Sequence, residues 1–489
     1  MANVTTSLEQ NNYLSSEELL TKSTLKQHFD LQKSYFLKNI YPSYQYRIND
    51  LTALKQLLLD NQQALIEAMS DDFGHRSADD SKIGDILTTV MGINYAIKRL
   101  KSWMKPDKRH VGILFYPAKA SVIYQPKGVV GIIAPWNYPI FLSLGPLTAA
   151  LAAGNVAMIK MSECTPNTNA LLNRLIASAF PTGKVSIVCG GAQIAADFSN
   201  LSFDHLFFTG STHVGRLVMK SSAENLVPIT LELGGKSPAI IDNDIDIDIA
   251  VNRLILGKTL NSGQTCVAPD YILCPKGKVE VLIRALKARY QNMYPSINDN
   301  QDCTSIINEQ HKSRLEYLLK DAQEKGAKTV PLIDECVSHD DKELRKMPLT
   351  LIINSTDEML VMQEEIFGPI LPIVSYDNIN EVFDFVNSRP RPLALYIYSF
   401  NKLFQQKLLL NTHAGGVCIN EAALHVANDD LPFGGIGASG MGQYHGIEGF
   451  KTFSHAKPVL SNACISFTSL LFPPFGSVLQ RLVYKFFIR

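Results

Sequence analysis

The sequence predicts an α/β protein whose parallel strands are covered by helices on both faces. Short, largely apolar runs recur at 129–133, 156–160, 185–188 and 205–208, the pattern of strands buried on both faces. Helix-spaced segments at 142–153, 166–180 and 193–198 separate them, and this strand–helix alternation specifies a parallel sheet. A second alternating region runs from Asp270 to about Asn420, and 489 residues exceed what one ordinary core organises.

Taken in order, 51–69 places Leu51, Leu54, Leu58, Leu65 and Met69 at helical spacing, and 86–103 forms a second helix. The polar stretch 71–85 between them reads as a loop or a solvated helix edge. Residues 111–124 read as two short strands turning at Pro117, a projecting arm suited to pairing with another subunit. The charged segment 334–346 reads as a surface loop. Segment 364–369 ends a helical stretch and turns into a strand at 370–374.

Bulk properties exclude several functions. Basic and acidic residues balance at 46 each, so no global electrostatic argument favours nucleic acid. The eight cysteines contain no C-x-x-C pair and define neither a zinc ribbon nor a disulfide framework. No metal-ligand spacing occurs. Residues 1–12 are polar and lack the charged-then-apolar order of a secretory signal, and no apolar run reaches membrane-spanning length. A reducing cytoplasm is the expectation.

Ligands of such sheets bind beyond the carboxyl ends of the strands. Those ends carry Trp136-Asn137, Lys160 to Glu163 and Gly210-Ser211-Thr212, the last entering a helix whose N-terminus and Gly215 suit a phosphate or an ordinary glycine turn equally. Glu232 sits between two leucines, as a desolvated base would, or as a surface carboxylate on an alternating strand. Cys266 follows the flexible run Gly263-Gln264-Thr265, as a presented nucleophile or a buried small hydrophobe. Gly435 to Gly440 matches G-x-G-x-x-G spacing, but no apolar strand precedes it, so it is not the cofactor site. Gly234-Gly235-Lys236-Ser237 lacks a P-loop's first glycine, since Thr230 stands there.

The tail after Pro473-Pro474 spaces Arg481, Lys485 and Arg489 four apart, with Leu479, Leu482, Val483, Phe486 and Phe487 largely elsewhere on the helix. Such a basic amphipathic helix lies on an anionic membrane or docks onto protein.

Seven motifs, Pro-Trp-Asn-Tyr-Pro, Lys-Met-Ser-Glu, Phe-Thr-Gly-Ser-Thr, Leu-Glu-Leu-Gly-Gly-Lys, Gly-Gln-Thr-Cys, Glu-Glu-Ile-Phe-Gly-Pro and Leu-Pro-Phe-Gly-Gly, occur in this order. Together they resemble the NAD(P)-dependent aldehyde dehydrogenases over about residues 25 to 460. The gap of 34 positions from Glu232 to Cys266 (266 − 232) resembles the class 3 branch, and 429–458 most resembles its bacterial coniferyl aldehyde dehydrogenases.

The resemblance implies a Rossmann-type cofactor domain at 20–108 and 126–232 and an α/β thiol domain at 233–420. It further implies β oligomerisation or bridging segments at 109–125 and 421–458, and a tail at 459–489. It assigns Cys266 as nucleophile, Glu232 as general base and Asn137 as oxyanion donor. Trp136, Lys160, Glu163, Gly210, Ser211, Thr212, Gly215, Leu233, Glu365 and Phe367 become cofactor contacts, with NAD favoured over NADP by the Glu163 carboxylate. A homodimer acting on coniferyl aldehyde or a related aromatic aldehyde is implied. Fatty aldehydes, a CoA-acylating reaction and a non-catalytic binding protein are the alternatives.

Overall fold

Strands Val129–Ile133, Val156–Lys160, Val185–Val188, His205–Thr209 and Ile229–Glu232 are parallel neighbours in a six-stranded sheet. All but the first residue of the last are buried, because helices lie on both faces. The short strand Gly440–Met441 closes the sheet antiparallel to Leu231 and Glu232. The structure is a computed structural model that describes residues 22–333, 345–464 and 472–488. Readings made on 1–12, on most of 334–346 and on Arg489 fall outside these residues.

A seven-stranded sheet is built from the chain after Ser237. Its order is Lys328–Pro331, Thr350–Ile353, Ile370–Tyr376, Tyr271–Pro275, Pro238–Ile241, Ala394–Tyr398 and Gly416–Ile419, and only the first is antiparallel. The strand starting at Ile370 is where sequence placed it. Helix Tyr44–Phe73 buries all five residues picked from their spacing, Leu51, Leu54, Leu58, Leu65 and Met69.

Three expectations need correction. Residues 71–85 are not a solvated edge: Arg76 and Asp85 have fully buried side chains, 2.9 Å apart in an ion pair. The other Asp85 carboxylate oxygen accepts the backbone N–H groups of Ile140 and Phe141 at 3.0 and 2.9 Å. The charges read as solvated because each alone belongs in water, whereas paired and hydrogen-bonded they sit inside.

The arm is also arranged differently. Its strands are Asp107–Arg109 and Lys119–Pro126, while 113–115 form a single helical turn before Pro117, which has no N–H to give a ladder. Ser454–Ser461 supplies the third strand of this antiparallel sheet. Finally, Arg345 and Lys346, the described end of the expected surface loop, turn inward. Lys346 is buried, donating to the Asn298 and Asn300 carbonyls at 3.0 and 2.7 Å.

Replacing Asp85 with Ala strands a buried guanidinium and two backbone donors beside Asn137. The expected cost is about 3–5 kcal/mol of stability, read from the midpoint of urea unfolding.

Candidate active site

The thiol loop is shaped by an unusual backbone. Asn261, Ser262 and Gly263 take φ of 51°, 53° and 74°, three consecutive left-handed residues, two of which carry side chains. The Asp80 carboxylate accepts the Asn261 N–H at 3.0 Å, and the Ser262 hydroxyl donates to the Thr304 carbonyl. A Cβ on Gly263 would lie 2.6 Å from the Gly368 carbonyl oxygen, so the Gly-Gln-Thr-Cys and Glu-Glu-Ile-Phe-Gly-Pro segments touch there.

Gln264 then fastens the loop. Its amide donates to the Asn261 and Ser305 carbonyls at 3.1 and 3.0 Å and accepts the Ile307 N–H at 3.0 Å. The Gln264 carbonyl accepts from the Asn137 amide at 3.0 Å, and Tyr138 and Thr265 join hydroxyls at 2.9 Å. Asn137, after one strand, and Cys266, after a helix in another layer, are thereby locked together.

Both face a cavity of about 900 Å³, also lined by Trp136, Gly210, Ser211, Thr212, Glu232, Leu233, Glu365 and Phe367. Ten of the thirteen residues picked from sequence therefore line one space (Lys160, Glu163 and Gly215 do not). Lys160 is buried, its ammonium 3.3 Å from the half-exposed Glu163 carboxylate. Gly215 leaves room for Leu233, whose side chain a Cβ would approach to 2.7 Å.

Glu232 ends its strand with both carboxylate oxygens buried and without a hydrogen-bond partner. Burial raises its pKa well above the ordinary carboxylate range. Glu365 is raised to about 8, by burial first and then by the Asp270 charge. Cys266 is raised to about 12, by burial and by the Glu365 and Glu232 carboxylates, against the pull of the Cys266 and Val267 N–H groups. At neutral pH the resting nucleophile is a thiol.

Several contributors carried no sequence signal. Lys236 spans the cavity wall, bound to Asp270 and to the Val361 and Glu364 carbonyls, while Asp270 accepts the Ile366 N–H at 2.9 Å. Arg314 donates to the Glu365 and Ile366 carbonyls. Trp136 meets Phe367 and His311 edge-on, at 5.3 and 4.9 Å between centroids. The rejected glycine run, 435–440, closes the cavity rather than cradling phosphate: Ala438 lines it, and its carbonyl accepts the Thr212 hydroxyl at 3.1 Å.

A thiol, an unpartnered buried carboxylate and an amide donor gathered in one cleft suit covalent attack on a carbonyl followed by hydrolysis. The family model of the aldehyde dehydrogenases, described as "Aldehyde dehydrogenase family", matches residues 41–459. The chain belongs to that family and is an aldehyde-oxidising enzyme. Among its relatives, a protein of Pseudomonas aeruginosa called "Probable coniferyl aldehyde dehydrogenase" is 52% identical over 461 residues, 94% of this chain and 96% of the relative. The solved structure of Staphylococcus aureus AldH in a substrate-bound state superposes with a TM-score of 0.89 at 36% identity, covering 95% and 99% of the two chains. A Mycobacterium tuberculosis aldehyde dehydrogenase complexed with NAD+ superposes with a TM-score of 0.82 at 26% identity, covering 91% and 92%.

Alkylation of Cys266 by iodoacetamide is expected to quicken about tenfold per pH unit from pH 7 to 10, as a thiol far below its pKa ionises. In Glu365→Gln the charge that Glu365 gains above its pKa of about 8 is gone, so labelling at about pH 9–10 is faster than in wild type. Peptide mass spectrometry, with Cys266→Ala as blank, follows both rates.

Proposed function

We propose that this enzyme oxidises coniferyl aldehyde, or a closely related aromatic aldehyde, to its carboxylic acid with NAD. The convergence of Cys266, Glu232 and Asn137 on one cavity carries the reaction type, and the likeness to a coniferyl aldehyde dehydrogenase over 94% of the chain supports the substrate.

The cavity suits a dinucleotide. Helix Thr212–Glu224 opens beneath it with Ser211 as cap, its first N–H groups placed for a diphosphate. The Glu365 carboxylate serves as an acceptor for ribose hydroxyls, and a Cβ on Gly234 would lie 2.0 Å from that carboxylate, so the backbone there is kept bare. Lys160 and Glu163 sit at the end of the neighbouring strand, where adenosine contacts are proposed. Bound in this cleft, nicotinamide supplies the acceptor for a hydride.

Cys266, once deprotonated, adds to the aldehyde carbon. The oxyanion that forms is held by the second N–H of the Asn137 amide and by the Cys266 backbone N–H, each donor lowering the barrier by about 3 kcal/mol. Collapse of that adduct, its carbon-bound hydride passing to the nicotinamide that the cleft would hold, would leave an acyl thioester on Cys266. Glu232, held protophilic by burial, takes a proton from water; the hydroxide adds to the thioester carbon, the C–S bond breaks, and the carboxylic acid leaves the Cys266 thiolate behind. Trp136 and Phe367 wall the cleft and limit bulk water.

The division at about residue 232, between the six-stranded and seven-stranded sheets, supports reading the first as the cofactor unit and the second as the thiol unit. Cytoplasmic location is proposed with it. Among the described residues, no helix is long and apolar enough to cross a membrane. A homodimer is proposed through the exposed outer strand Ser454–Ser461, and a peripheral lipid contact through helix Val478–Phe487.

Steady-state reduction of NAD at 340 nm with coniferyl aldehyde is expected to exceed that with aliphatic aldehydes and to vanish in Cys266→Ala. Preference for long-chain aldehydes would discard the aromatic assignment and keep the mechanism. Glu232→Gln is expected to give a burst of about one equivalent of NADH and then turnover slowed about 100-fold or more. Full rescue of wild-type turnover only when CoA is added would move the enzyme to the acylating class. Asn137→Ala is expected to lower kcat by about 10²–10³-fold with little change in KM.

A further inference from the structure

The tip of the three-stranded sheet is built against its surroundings. Ile113, Leu114, Phe115 and Tyr116 are consecutive, and 77%, 53%, 58% and 69% of their surfaces are exposed. Four adjacent large apolar side chains in water are costly, and nothing in the single helical turn they form requires them to be apolar. The turn is also collared by exposed cations: Lys105, Lys108 and Arg109 on the entering side, with His110, and Lys119 on the leaving side. Asp107 is the sole acid between Lys105 and Lys119, and its carboxylate is 2.6 Å from Arg109. In a chain with no net charge, this segregation is local and specific.

The C-terminal end repeats the chemistry. The third strand ends at Ser461, in register with Lys119, so the chain leaves the sheet beside the apolar turn. Beyond Glu448 there is no acidic residue, while Lys451, Lys457, Arg481, Lys485 and Arg489 are basic. On helix Val478–Phe487 the residues Val478, Leu479, Leu482, Phe486 and Phe487 share one arc and are all exposed, and Arg481 and Lys485 lie on the other.

We propose that the turn 113–116 is a lipid-inserting element that, with its collar of cations, docks the enzyme on an anionic membrane surface. This deepens the peripheral contact proposed for the C-terminal helix and rests on it only for the second point of attachment. Phe115 and Tyr116 have the aromatic bodies favoured at the headgroup boundary, and the cations stand where headgroup phosphates would lie. A second copy seated tip to tip on a two-fold axis is a poorer occupant, because it would set one cationic collar against another. Two elements of modest individual affinity would suffice for reversible attachment.

The test is co-sedimentation of the full-length protein with phosphatidylcholine vesicles, with and without about one-third phosphatidylserine, at low and high salt. Wild type is expected to bind the anionic vesicles only and to be released by salt. The double variant Ile113→Ser/Phe115→Ser and the charge reversal Lys108→Glu/Arg109→Glu are each expected to weaken binding about tenfold or more. Both should keep wild-type turnover of a water-soluble aldehyde, which also reports folding. The helix variant Leu482→Ser/Phe486→Ser separates the two attachments. If it alone abolishes binding while both turn variants bind normally, the turn is not a lipid element and the proposal is overturned. It is equally overturned if wild type ignores anionic vesicles, or if Ile113→Ser/Phe115→Ser lowers the molecular mass by light scattering, which would assign the tip to a second copy.

Discussion

The left-handed run Asn261–Gly263 is the constraint on which the site depends. Holding asparagine and serine at positive φ costs about 1 kcal/mol each, and the chain tolerates it because hydrogen bonds fasten the turn along its length. Asp80 holds its entry, Thr304 its middle and Gln264 its exit. Relaxing the turn would release the Gln264 carbonyl from Asn137, and the oxyanion donor would lose its position relative to the sulfur.

This fastening ties together segments with no proximity in the chain. Asp85 anchors the start of the helix after Asn137, while Lys236, Asp270 and Arg314 hold the Glu365 segment against the same cavity. Asp85 and Asp270 are buried and Lys236 and Arg314 partly so, and each is satisfied by backbone or by an opposite charge, so rigidity comes from hydrogen bonding rather than from apolar packing alone. Glu232 is the exception. Its oxygens have no partner, and burial raises its pKa well above the ordinary carboxylate range, the condition the proposed base needs.

Four of the six strands of the first sheet were legible because burial on both faces demands largely apolar runs, and the run at 129–133 coincides with its strand. Cys266, Glu232 and Asn137 were legible as candidates from their motifs, and the three line one cavity. The buried pair Arg76–Asp85 was not, since one sequence records two charges but not that they meet. The strand Ser454–Ser461 was hidden for a related reason: its side chains are mostly exposed, so neither apolar alternation nor a local turn marks it, and its partner lies more than three hundred positions earlier. Gln264 was quoted as part of a motif, yet its role as a clamp follows only from where Ser305 and Ile307 end up.

The pKa of Cys266, raised to about 12, has a consequence for the protein's durability. Peroxide and disulfide reagents attack the thiolate, and the first rung of cysteine oxidation is reached at a rate set by its population. A Cys266 thiol whose pKa is raised by burial and by two neighbouring carboxyl groups offers such reagents little thiolate to attack at neutral pH.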